Sequence, residues 1–251
     1  MQTGAITGYI DVAQLVLYAF WIFFAGLIYY LHRENKREGY PLESDRSHAI
    51  KVQGWPAVPS PKTYKLANGE TVQAPNARRD SQPPVHEGAY RGSPFQPEGD
   101  PLLAGVGPGS WANRADVPDM TYEGLPRIVP LRTASGFGVA PQDVDPRGLP
   151  VQGDDGVEGG RVVDLWVDRS EMLFRYLELK VADGRHVLLP MNFARVLHHR
   201  IVVKSILGEQ FIRVPGTRHA EQVTLLEEEK IMAYYGAGTL YATPQRQEPL
   251  L

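Results

Sequence analysis

The sequence predicts a single membrane-spanning helix near the amino terminus, a long extended connection, and a mainly-β domain that finishes in a helix. Three observations predict it. Val12 to Leu31 is an apolar run without a charge. Gln53 to Ser110 holds ten prolines and shows neither a helical nor a strand period. Beyond about residue 127, short alternating segments are separated by turn residues, as in a small antiparallel barrel.

The run VAQLVLYAFWIFFAGLIYYL contains one strongly polar residue, Gln14. At 1.5 Å per residue it extends about 30 Å, the thickness of a bilayer's hydrocarbon core. Lipid cannot satisfy backbone polar groups, so the segment must be helical. Tyr9 near one end, and Tyr29 and Tyr30 near the other, suit the two interfaces. A cleaved signal peptide needs a basic start, a shorter apolar stretch and a small-residue cleavage site. Residues 1–11 hold no Lys or Arg, and Tyr29-Tyr30-Leu31 is too bulky, so a retained span is expected. Arg33, Lys36 and Arg37 follow the span directly, which places the carboxyl-terminal portion in the cytoplasm. Ala19, Ala25 and Gly26 would let a partner helix approach closely, although small residues are common in any span.

Composition narrows the function classes. The chain has 251 residues, 43% of them hydrophobic, a formal net charge of −3 and no cysteine. Absent cysteine excludes a disulfide scaffold, a thiolate metal site and a cysteine nucleophile. The weak, slightly acidic charge argues against nucleic acid as a partner.

The proline-rich stretch contains Trp55, Tyr64 and Phe95, and Trp111 follows it. A pure tether seldom carries such large apolar groups, so the stretch is expected to lie along a protein surface, anchored by its aromatics. The glycines of GVGPGS at 105–110 follow no strand and open no clear helix, so they mark a turn and not a phosphate loop.

In the β region, Arg161 to Asp168 alternates, with Val163, Leu165 and Val167 on one face and Asp164, Trp166 and Asp168 on the other. Met172 to Val181 is a second strand. The Ala182-Asp183-Gly184 turn and Arg185 to Leu189 complete a hairpin. Ile201 to Ile206 adds a further strand. Thr224 with Glu227 predicts a capping box, and Glu227, Glu228 and Glu229 suit the positive end of a helix dipole. At least two of these three acids are expected to be a solvated first turn. Gly236 is the expected stop.

No GxSxG or HExxH motif is present. His198 and His199 are adjacent, would point to opposite faces of a strand, and are expected at the surface. Asp154 and Asp155 lie in a Gly-rich turn without calcium-loop spacing. Arg175 is more informative. Its strand face is shared with Leu173, Leu177 and Leu179, and a charge there is costly unless paired. Asp168 and Glu171 stand close enough in sequence to pair with it. Two readings fit: a structural salt bridge holding the hairpin, or a buried acid–base network tuned to relay protons.

FWIFFAGLIYYL followed by ENKREGYPLE, then KTYKLANG, GVGPGSW, GLPV, VVDLWVD, LLPM and VTLLEEEKI, resembles in order the H-subunit family of purple-bacterial photosynthetic reaction centres. The resemblance covers nearly the whole chain. It implies a periplasmic tail over 1–11, a transmembrane helix over 12–31, an extended surface-lying segment over 32–110, and a cytoplasmic PRC-type barrel with a terminal helix over 111–251. It implies a non-catalytic subunit that caps the L and M subunits and helps conduct protons to the secondary quinone. Bacteriochlorophyll, bacteriopheophytin, quinones and non-haem iron would be held by those partners, with none bound by this chain. Membrane lipids, a light-harvesting ring and a cytochrome subunit are further candidate neighbours. The family's relay acids fall on Glu171 and Asp168, its nearby arginine on Arg175 and its carboxyl-terminal glutamate on Glu228. An acid after GVGPGSW falls on Asp119, with Arg127 as a basic neighbour. Some members carry an Asp and two His where this chain has Thr121, Glu123 and Leu125, which leaves Glu123 as a substitute proton collector. The competing classes are a membrane-tethered PRC-barrel adaptor without a photosynthetic role and an anchored hydrolase using paired carboxylates.

Overall fold

The computed structural model describes residues 11–43, 51–66, 69–76, 85–86 and 96–247. Tyr9 and Phe95, two of the expected aromatic anchors, lie outside the described residues. Packing divides the chain into two compact units, residues 1–79 and 80–251.

The first unit begins with helix α1, Val12–Asn35. The polar residue inside the apolar run has a local cause. The Gln14 side chain accepts from the Asp11 N–H while the Asp11 carboxylate accepts from the Gln14 N–H, a reciprocal cap for the helix start. No residue of α1 is buried, and its mean hydropathy reaches 2.0 over 18 residues. A helix this apolar with none of its residues buried suits a nonaqueous environment over its uncharged run.

The basic residues after α1 turn inward. Lys36 is 3% exposed and donates to the carbonyls of Gln53 and Pro56. Arg37 pairs with Glu34 and donates to the carbonyls of Ser60 and Ala74. These carbonyls come from a region where no strand period is legible, yet short antiparallel ladders occur just before it and within it. Strands β1 (Leu42–Glu43) and β2 (Lys51–Val52) pair, as do β3 (Lys62–Lys65) and β4 (Thr71–Ala74). Strands of two to four residues are too short to display alternation.

The second unit opens with a short pair, β5 (Val85–His86) and β6 (Gln96–Pro97). Its main sheet contains β7 (Ile128–Pro130), β8 (Pro150–Gln152), β9 (Glu158–Asp168), β10 (Leu173–Val181), β11 (His186–Pro190), β12 (Ala194–Val196) and β13 (Ile201–Val203). The order is β11-β10-β9-β8-β13-β12, and β7 also pairs with β9. The sheet curls as a half-barrel because the long β9 pairs with β10 on one side and successively with β8 and β7 on the other. One pairing departs from the expected antiparallel pattern: β8 and β13 run parallel.

The hairpin contains an irregularity that decides the face of Arg175. Leu173 faces Asp168 and Phe174 faces Val167, but Tyr176 faces Trp166, so the register shifts between Phe174 and Tyr176. Arg175 is the extra residue of this bulge and leaves the alternation. Its side chain is exposed, as is Leu173, while Leu177 and Leu179 are fully buried. Arg175 therefore does not share a buried apolar face with those leucines, because the bulge breaks the period of two. Val163 is also exposed, whereas Leu165 to Asp168 is buried on both faces of the strand.

Helix α2, Leu225–Tyr241, closes the unit. Its Thr224–Glu227 capping box is present as expected. It runs through Gly236 instead of stopping there. A Cβ on Gly236 would stand 2.5 Å from the Pro108 carbonyl oxygen, so this glycine permits close approach and does not serve as a cap. The opposing segment is the single 3-10 turn Gly107–Gly109, the expected GVGPGS turn, with Gly109 against Ala237. Leu102 and Val106, from the proline-rich stretch, are buried in this unit. Its largest enclosed side chains are Trp166, Tyr234, Tyr235 and Phe211. His198 and His199 are exposed, as expected, but they sit in the β12–β13 turn rather than on a strand, with the Leu197 N–H bonded to the Arg200 carbonyl.

Replacing Gly159 by Ala would drive its Cβ into the ring of the buried Phe211. The expected outcome is a loss of about 1–3 kcal/mol of stability, typical of overpacking, measured by urea unfolding of the detergent-solubilised chain.

Candidate functional site

The site is organised around Arg127, just before β7. Its Nε and Nη2 meet both oxygens of Asp168 at 2.9–3.0 Å. Nη1 donates to Asp119 at 3.1 Å and Nη2 donates to Glu171 at 2.5 Å. The backbone fixes the same geometry: the Arg127 N–H donates to the Asp119 carbonyl, and the Arg169 N–H donates to the Arg127 carbonyl. Asp168, the last residue of β9, is fully buried, and its carboxylate also accepts from the N–H groups of Ser170 and Glu171. One side chain thus holds the β9–β10 turn and presents Glu171 outward. Glu171 lies 3.8 Å from the Arg175 guanidinium.

The acidic triplet at the start of α2 divides three ways. Glu227 caps the helix and accepts from the Arg218 N–H. Glu229 pairs with Arg114. Glu228 is half-buried and accepts from the Tyr176 hydroxyl at 2.7 Å. A cleft of about 730 Å³ gathers Asp119, Arg127, Asp168, Glu171, Arg175 and Glu228, with Arg114 and Glu229 at the same wall. Six of the seven sequence-predicted site residues are therefore together. Glu123 is not with them. It lies on an exposed turn, where the Thr121 hydroxyl and its own N–H hold its carboxyl below the usual range.

The cleft contains five carboxyls and three guanidiniums. Burial and unequal pairing separate two of the acids. Burial pushes the Asp168 carboxyl up, but Arg127 and the two turn N–H groups outweigh it and hold the group below its ordinary value. Glu228 shifts the other way. Burial raises it, and the charges of Asp119 and Asp168 add to the rise, against the opposing Tyr176 hydroxyl and Arg175. The arrangement can hold a fixed anion beside a carboxyl that keeps its proton more readily.

A second network was not legible in the sequence. Arg132 bonds to Asp164 at 3.1 Å and Glu178 at 2.6 Å, and the Trp166 Nε1–H donates to Glu178 at 2.9 Å. His186 Nδ1 is 2.6 Å from the same carboxylate. Burial alone would raise Glu178, yet Arg132, Trp166 and His186 keep it below its usual value. Asp164 and Glu178 face each other across β9 and β10. Two opposed buried acids demand a cation, the one signal that could have pointed to Arg132.

Comparison with known families accounts for most of the chain. Residues 4–133 match the family described as photosynthetic reaction centre, H-chain N-terminal region. The chain belongs to the photosynthetic reaction-centre H-chain family. Residues 142–210 match the PRC-barrel domain. In this reaction-centre H chain, Asp119 and Arg127 fall in the first matched region and Asp168, Glu171 and Arg175 in the second, while Glu228 lies beyond both. The cleft is therefore formed where the two regions fold together. H chains are non-catalytic, pigment-free, membrane-associated subunits that assemble with other reaction-centre subunits. Among the described residues, no three His, Asp or Glu side chains converge as metal ligands.

The two acids predict opposite pH behaviour. A lowered carboxyl stabilises the fold above its unfolded value of about 3.9, and that contribution disappears as pH falls through the folded value. Asp168→Asn should cost about 1.5–3 kcal/mol at neutral pH, with the difference from wild type shrinking below about pH 4. For Glu228 the contribution is present at low pH and is lost as pH rises through its raised folded value, so Glu228→Gln should be no less stable than wild type at neutral pH. Urea unfolding across a pH series checks both signs.

Proposed function

We propose that this H chain caps the L and M subunits on the cytoplasmic side and helps conduct protons to the secondary quinone, with pigments, quinones and non-haem iron held by those partners. The observation that carries the proton role is the gathering of Asp119, Arg127, Asp168, Glu171, Arg175 and Glu228 in one cleft from segments more than one hundred residues apart. A quinone that receives two electrons inside protein must receive two protons, and bulk water does not reach it. Carboxyls spaced around a cleft roomy enough for many waters supply stations for that transfer. Glu171, at the open side, takes a proton from solvent. Glu228, with its raised proton affinity, holds it further in, oriented by Tyr176. Asp168, locked to Arg127, contributes fixed negative charge that favours a proton nearby. Glu123, outside the cleft, serves at most as a surface collector.

The orientation follows from Arg33, Lys36 and Arg37 after the span, which place residues 1–11 on the periplasmic side of the bacterial inner membrane. Residues 12–31 span it, 32–110 form an extended surface-lying segment, and 111–251 form the cytoplasmic cap. Antenna and cytochrome subunits are neighbours of the whole complex in this reading.

Flash-induced kinetics of the complex test the proton role. Glu171→Gln and Glu228→Gln should slow the second electron transfer to the secondary quinone while primary charge separation is unchanged. A tenfold slowing corresponds to about 1.4 kcal/mol on the barrier. Unchanged rates between about pH 5 and 9 in both variants would remove these residues from the route.

A further inference from the structure

The loop after the span carries an exposed indole on a rigid mount. Trp55 is 77% exposed, the most exposed tryptophan in the chain. Its ring packs against Tyr29, with centroids 5.6 Å apart and planes tilted by 52°. The backbone on both sides of it is fixed from within. The buried Lys36 ammonium donates to the carbonyl of Gln53, two residues before, and to that of Pro56, one residue after, each at 2.6 Å. Gly54 has φ +65°, and a Cβ there would stand 3.3 Å from that ammonium, so glycine lets the chain close over the cation. The Lys36 ammonium also lies over the Tyr40 ring, 5.0 Å from its centroid. A desolvated lysine is thus committed to a turn whose outward feature is a bare indole.

The position of this turn identifies what covers it. Tyr29 belongs to α1, none of whose residues is buried, and it lies within two residues of the end of the uncharged run at Leu31. Arg33 follows, exposed and outside the buried clamp. The Tyr29–Trp55 pair therefore sits where the lipid-facing surface ends and charged residues begin, at the depth where tryptophan partitions best, with an apolar ring face and a polar N–H. We propose that the Gly54-Trp55-Pro56 turn is a second membrane contact, with the Trp55 indole seated in the headgroup–acyl boundary of the bilayer that α1 crosses. The surface is continuous with the span, and the occupant is phospholipid. The inference rests on the membrane anchor and is independent of the proton role.

The test uses full-length chain in nanodiscs of phosphatidylcholine whose acyl chains carry bromine either near the headgroup or deep toward the midplane. Subtracting the emission of Trp55→Phe from that of wild type isolates the one indole, since the Lys36 clamp grips backbone carbonyls and survives loss of the side chain. Trp55→Tyr provides a second subtraction, and far-ultraviolet circular dichroism confirms that both variants stay folded. The expected result is greater loss of the isolated emission with shallow than with deep bromine, and no loss with aqueous iodide. Quenching by iodide without bromolipid quenching places the indole in water and overturns the proposal. Insensitivity to all three quenchers means that protein covers the indole, as in contact with another copy, and overturns it too. Stronger quenching by deep bromine rejects the boundary location in the same way.

Discussion

The contact between Arg127 and Asp168 is the constraint on which the rest of the cleft depends. Asp168 ends β9 fully buried, so its charge must be met within the protein. Arg127 meets it side-on through two nitrogens, and the N–H groups of Ser170 and Glu171 take the remaining acceptor capacity. The same bonds therefore close the β9–β10 turn, aim Glu171 outward and bring the Asp119 segment against the strand. A neutral residue at either position would leave a charged or polar group without its partner. It would also free the turn that orders the other acids.

With one anion fixed, the neighbouring groups need not behave alike. Five carboxyls and three guanidiniums share the cleft, and burial together with mutual repulsion raises the proton affinity of the acid least well compensated. That acid is Glu228, half-buried and met by a neutral hydroxyl from Tyr176 instead of a close guanidinium. The α2 dipole and the Thr224 cap act on the same helix turn but are occupied by Glu227. Division of labour among three consecutive glutamates thus follows from helix geometry, which sends adjacent side chains about a hundred degrees apart.

Cation burial recurs in the other unit. Lys36 and Arg37 satisfy the backbone carbonyls of Gln53, Pro56, Ser60 and Ala74 in the proline-rich stretch. Two of the three basic residues that follow the span thereby acquire a structural use beside any effect on membrane orientation.

The sequence alone determined the elements whose signal is local: the uncharged run from Val12 to Leu31, the hairpin around Asp183-Gly184, the Thr224–Glu227 cap and the family motifs. Six of the seven predicted site residues also proved to be neighbours. Tertiary structure decided what depends on register and distant contact. The bulge at Arg175 moved it off the apolar face and left Arg127 as the central cation, because an extra residue breaks the two-residue period at that point of the strand. Gly236 could be assigned to close packing only once Pro108 lay against α2. The Arg132–Glu178 network joins residues 46 positions apart. Such pairings carry no period or motif, since they are selected by the energy of satisfying a buried charge and not by the conformation of the chain around it.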